Sequence, residues 1–196
     1  MMDVICWTGP TVAENLAFDE TLARSAWATD RHLHSLVTPA PDHLNLKAGF
    51  RQGTDVVCSM LAAFGVDGKP QGTSDVPVGD RKISGNAQSR RCKALLVHGT
   101  LLVDFDFDLA EKVLRHPLRE PAYRRGRSHR DFLVTLRALG VRADRKSINK
   151  AAMGAARQVF GRVNALCDLD IRMERQSTCD SICASRVTLV NSSRSM

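Results

Sequence analysis

Two short runs of strand-forming residues, Val76–Val78 and Arg81–Ser84, are separated only by the pair Gly79-Asp80. A turn pair between two such runs reads as a β-hairpin. Downstream, Ala94–Phe105 reads as one long strand. Leu96, His98, Thr100 and Leu102 fall on one of its faces; Leu95, Val97, Leu101 and Val103 fall on the other, with Gly99 between them. Segments of helical period lie on both sides of these strands. Thr11 and Glu14 form a capping box, which predicts a helix over 12–27 with Glu20 on its apolar face. Val56, Val57, Met60, Leu61 and Phe64 predict a second helix, from Gln52 to Phe64, closed by Gly65. Asp108 and Glu111 suggest another capping box, Asp131 a helix running to Leu139, and Ile148 to Leu166 a last amphipathic helix. The serine-rich stretch 177–196 is expected to be weakly ordered.

Hydrophobic residues make up 43% of the 196-residue chain and charged residues 25%, the balance of a folded globular domain. No apolar run approaches the ~18 residues that a membrane span needs. The net charge of +7 is concentrated. Residues 115–150 hold 11 basic and 3 acidic side chains, which suits an anionic partner. A nucleic-acid partner would call for stacking aromatics, and this stretch has only Tyr123 and Phe132. The six cysteines, at 6, 58, 92, 167, 179 and 183, follow no regular spacing, and no secretory signal opens the chain. Free thiols and a cytoplasmic location are expected.

The chemistry concentrates in Gln71–Gln88, QGTSDVPVGDRKISGNAQ. Gly85 lets backbone approach a ligand, with Ser84 and Asn86 offering polar groups beside it. Lys82 is a compact cation suited to a phosphate or a developing oxyanion. Asp75 can hold a divalent cation or orient a polar group. The same residues also suit a surface hairpin with solvated charges.

D-R-K-I-S-G-N-A-Q followed by His98-Gly99-Thr100-Leu101-Leu102 resembles the lipoate–protein ligase family, within the biotin and lipoate protein ligases. Asn15–Glu20 is similar to that family's N-terminal helix, Gly72–Asp75 stands where it has an Asn-Asp pair, and PAYRRGRSHRDF (121–132) is similar to its basic loop. The resemblance covers about residues 10–28 and 45–140. It implies an α+β fold, a mixed β-sheet flanked by helices of class II synthetase-like type. It implies a catalytic domain over 1–145, with a C-terminal helix and tail over 146–196. It also implies activation of lipoate, or octanoate, with ATP and Mg2+, and transfer of the acyl group to a lysine. The acceptors would be lipoyl domains of 2-oxo acid dehydrogenases or the glycine-cleavage H protein. By this similarity Lys82 is catalytic. Asp75, Ser84, Gly85, Asn86, His98, Gly99 and Thr100 bind substrate and adenylate, and Asp75 sits near magnesium. His98 reads equally well as an ordinary strand histidine. The loop residues Arg119, Arg124, Arg125, Arg127 and Arg130 are expected to dock an acidic acceptor.

The sequence departs from the family in one place. Members carry an Arg-Arg-x-x-Gly-Gly-Gly segment after the first helix. Here the chain passes from Trp27 almost directly to Thr29–His32, as if a block near 28–31 were deleted and the fold incomplete. Two alternatives follow. One is an octanoyltransferase of the same superfamily, which needs a thiolate such as Cys92 near the lysine. The other is a truncated relative without ligase activity.

Overall fold

A computed structural model describes residues 2–5, 37–39, 46–91, 94–161, 163–166, 169–175 and 185–191. The helix expected over 12–27, Glu20, and the cysteines at 6, 92, 167, 179 and 183 lie outside these residues. The chain divides into two compact units. The first comprises Met1–Leu44, Gln88–Leu96 and Phe160–Met196. In it, β1 (Met2–Ile5) pairs in parallel with β6 (Val163–Leu166). Strand β7 (Leu169–Arg175) pairs antiparallel with β8 (Ser185–Asn191), so part of the serine-rich stretch is a strand. Strand β2 (Val37–Pro39) pairs antiparallel with the start of β5 (Ala94–Leu101).

The second unit, Asn45–Ala87 and Val97–Val159, contains the hairpin. Strands β3 (Asp75–Val78) and β4 (Arg81–Arg91) pair antiparallel, and β5 lies on the other side of β4. Gly79, at the first turn position, has φ +62°, the conformation a two-residue hairpin asks of that residue. Pro77 is tolerated because β3 is an edge strand. A bulge between Val76 and Pro77 sets Val76 opposite Ser84 and Pro77 opposite Lys82.

Helix α1 (Leu46–Ala63) begins six residues before the predicted start and ends as expected. The amide of Gly65 (φ +73°) donates to Ala62 O at 3.0 Å, and that of Val66 donates to Leu61 O at 3.0 Å, a Schellman closure. The helix buries Gly49, Gly53, Val56, Val57 and Leu61. At Gly53 it lies so close to the sheet that a Cβ would come within 2.7 Å of Val97 Cγ1. Leu61, Val76, Ile83, Val134 and Leu136, all fully buried, form the centre of the core.

Three sequence expectations give way. Helix α2 (Phe107–Val113) is capped by Asp106, whose carboxylate accepts from the Leu109 amide at 2.9 Å, rather than by Asp108. In place of a helix over 131–139 there is the single turn α3 (His129–Phe132), capped by Ser128. An extended segment and a 3₁₀ turn (Arg137–Leu139) follow it. The Val134 amide donates to Lys82 O at 2.9 Å. Pro77, opposite Lys82, has no N–H of its own to offer. Finally, α4 (Arg145–Phe160) stops before Gly161, which has φ +80°. Val163 and Leu166 therefore belong to strand β6, not to that helix.

Candidate active site

The hairpin and the basic loop meet around one carboxylate. Asp75 opens β3, directly opposite Gly85 of β4. Its Oδ1 lies 2.8 Å from Lys82 Nζ, and its Oδ2 accepts from the Tyr123 hydroxyl at 2.8 Å. The Ser74 hydroxyl donates to Oδ1 at 3.4 Å. The Asp75 side chain is 12% exposed and that of Lys82 27%, so the pair is sheltered while the ammonium still reaches solvent. Burial, and then the hydrogen bond to Asp75, push the Tyr123 phenol well above its ordinary value, so it stays a protonated donor at neutral pH.

Gly85 makes room for the ammonium. A Cβ at that position would lie 2.7 Å from Lys82 Nζ and 2.8 Å from Cε. Asn86 joins the turn to the strand. Its Nδ2 donates to Ser74 O at 2.8 Å and to Ser84 Oγ at 3.4 Å, and its own amide donates to Ser74 O at 2.9 Å. It thereby ties the Gly72–Asp75 turn to β4. Gly99 leaves space for this amide, since a Cβ there would lie 2.9 Å from Asn86 Cγ. Ser84 is 1% exposed and its hydroxyl oxygen belongs to the same network. His98, Gly99 and Thr100 are exposed, and the Thr100 hydroxyl donates to Gly85 O at 3.5 Å.

The resemblance also assigns magnesium to Asp75, and the geometry does not suit that role. Both carboxylate oxygens are engaged, Oδ1 by Lys82 and Ser74 and Oδ2 by Tyr123. No group of three or more His, Cys, Asp or Glu side chains gathers as a cation site among the described residues.

The basic loop is built, not loose. Arg127 donates from Nη1 to Asp80 Oδ2 and from Nη2 to Asp80 O, both at 2.8 Å, and from Nη2 to Tyr123 O at 2.9 Å. The loop is thus fastened to the hairpin at Asp75 and again at the Asp80 turn. Arg124 is 5% exposed, with Nε donating to Arg127 O at 3.0 Å and its guanidinium 4.9 Å from the Phe132 ring centroid. Arg124 and Arg127 thus hold the loop together and to the hairpin. Arg119, Arg125 and Arg130 remain exposed, the last paired with Asp108. Tyr123, which the sequence offered only as a stacking ring, is the residue that pattern reasoning missed. The thiol of Cys58 on α1 is pushed up by burial and then by Asp55 and Asp67, the opposite of an activated nucleophile.

The family model for the lipoyl protein ligase A/B catalytic domain matches residues 29–155. The chain belongs to this family. Relatives include lipoate–protein ligase 1 of Staphylococcus aureus, 33% identical over 66 residues, a stretch that covers 34% of this chain and 20% of that protein. The octanoyltransferase LipM of Symbiobacterium thermophilum is 42% identical over 50 residues, 26% of this chain and 18% of that protein. The chain therefore matches only about a fifth of either relative's length. Among solved structures, lipoate–protein ligase A bound with ATP superposes with a TM-score of 0.56 at 22% identity, over 67% of this chain and 52% of that one. The bipartite lipoate protein ligase of Thermoplasma acidophilum, described with its E2 lipoyl domain, gives 0.55 at 26% identity, over 67% and 51%. The α+β fold is that of the ligases.

Proposed function

We propose that this chain performs acyl transfer of the lipoate–protein ligase type, with Lys82 as its catalytic residue. Lipoate, or octanoate, is the acyl group, carried as its ATP-derived adenylate, and the lysine of a lipoyl-domain protein is the acceptor. The observation that carries the reading is a solvent-reaching ammonium held beside bare backbone at Gly85 by a sheltered carboxylate. In the transfer step the acceptor amine attacks the acyl carbonyl of the adenylate. The C–N bond forms, the C–O bond to phosphate breaks, AMP departs and the amine loses a proton. Negative charge grows on the carbonyl oxygen and then on the leaving phosphate. A fixed cation at such a point contributes about 10²–10³ in rate. The names of the relatives and the ATP-bound neighbour support the substrate classes. The lipoyl domain described with the Thermoplasma ligase supports the acceptor class. Arg119, Arg125 and Arg130 would meet an acidic acceptor surface, where exposed charges act mainly on encounter rate.

The activation step is the weaker half. Phosphates are cradled by backbone N–H groups, which glycine-rich loops supply at little steric cost. With no such segment after Trp27, adenylation by this chain is expected to be slow or absent. The test separates the two halves. Purified protein is given lipoate and ATP in a pyrophosphate-exchange assay, and separately a synthetic lipoyl adenylate with a lipoyl domain. The reading expects little exchange but acceptor modification from the adenylate; no modification from the adenylate would contradict it. The likeness to LipM supports a second reading, octanoyl transfer from a thioester through a cysteine. An octanoyl thioester donor, with iodoacetamide labelling of Cys92, distinguishes it: only this reading predicts transfer from the thioester that the label abolishes.

A further inference from the structure

We propose that Tyr123 is a positioning residue for transfer at Lys82: its hydroxyl anchors one oxygen of Asp75, and the anchored carboxylate fixes the ammonium. The proposal rests on the reading of Lys82 given above. A lysine ammonium sits on a flexible four-carbon stem and accepts many geometries, so its placement depends on its partner. That partner is Asp75, and a carboxylate with only one fixed oxygen would swing about its own side-chain torsions. Here both oxygens are fixed, Oδ1 on Lys82 and Oδ2 on Tyr123, each at 2.8 Å. Tyr123 is held in turn. Its ring lies 5.2 Å from that of the buried Phe132, and its carbonyl accepts from Arg127 Nη2 at 2.9 Å. The loop thus lends the hairpin a rigid hydroxyl from 48 residues away. The phenol, kept protonated by burial and by Asp75, can act as a donor throughout the neutral range.

Tyr123 is the only tyrosine in the chain, so its ionisation can be followed alone in the near-ultraviolet tyrosinate band. Two arms test the proposal. In the first, Tyr123→Phe removes the hydroxyl and keeps the ring. Turnover with saturating lipoyl adenylate and acceptor is expected to fall about 10- to 100-fold, the cost of a reacting group misplaced by an ångström. The KM for acceptor and the melting temperature should stay near those of the unaltered chain. Unchanged turnover would overturn the proposal, and so would a loss carried entirely by KM. In the second arm, the unaltered chain should resist tyrosinate formation well above the pH at which free tyrosine ionises, and Asp75→Asn should bring the titration down. An ordinary titration, or one indifferent to Asp75→Asn, would overturn the anchor whatever the activity. If the unaltered chain transfers no acyl group at all, the proposed function fails, and the absorbance arm alone decides the anchor.

Discussion

Gly85→Ala separates the site from the fold more sharply than any other single change. The backbone at Gly85 does not have positive φ, so alanine adopts it without strain. Its Cβ would meet only two atoms closely, Lys82 Nζ at 2.7 Å and Cε at 2.8 Å, with Asp75 Oδ1 at an unstrained 3.8 Å. Ordinary contact begins at 3.4 Å, so the end of the lysine must retreat by about 0.7 Å. A flexible side chain can make that move with little loss of stability, about 1 kcal/mol or less, because nothing in the core shifts. The 2.8 Å pair with Asp75 cannot survive it in its present form. A displacement of this size at a reacting group costs on the order of 10-fold and up to about 100-fold in rate. Thermal melting and lipoyl transfer from the adenylate, measured on the same preparation, check both halves. Full turnover in a folded Gly85→Ala protein would refute the placement of Lys82. A collapse in melting temperature would refute the claim that only the lysine is touched.

Other consequences concern the frame and the surface. Leu61→Ala should destabilise the protein by about 2–5 kcal/mol in urea melts, since Leu61 is fully buried in the central cluster. Neutralising Arg119 and Arg125 together should lower the association rate with an acidic lipoyl domain and flatten its salt dependence, while Arg124→Gln should instead lower the melting temperature. Glu111 accepts from the Arg130 amide at 2.9 Å, and that bond, ahead of the contact with His129, holds its carboxyl below the usual range. A carboxyl lowered on folding stabilises above its unfolded pKa and loses that contribution as pH falls through its folded one. Glu111→Gln should therefore be less stable than the unaltered chain at pH 7, and paired urea melts should show the difference shrinking as the pH falls.

Local rules carried the sequence reading as far as local physics decides structure. The hairpin followed from Gly79-Asp80, and the end of α1 from Gly65, because both depend on neighbours in the chain. Leu133–Thr135 could not be read that way. Its extended form depends on the Lys82 carbonyl opposite Pro77, some fifty positions away, and its β-branched Val134 and Thr135 were the only local hint. Gly161 was the available signal that α4 stops before Val163. At the site, Asp75, Lys82 and Gly85 were visible as one cluster because they lie on one hairpin. Tyr123 reaches Asp75 across 48 residues, and charge counting could not tell a buried Arg124 from an exposed Arg125.

The central claim is that Lys82 performs the transfer, and one comparison tests it most directly. Unaltered protein and Lys82→Ala are each mixed with lipoyl adenylate and a lipoyl domain, and acceptor modification is followed by mass spectrometry. The account predicts that the unaltered chain modifies a single acceptor lysine, and that the variant, melting at nearly the same temperature, does so about 10²–10³ times more slowly. Equal rates from the two proteins would contradict it.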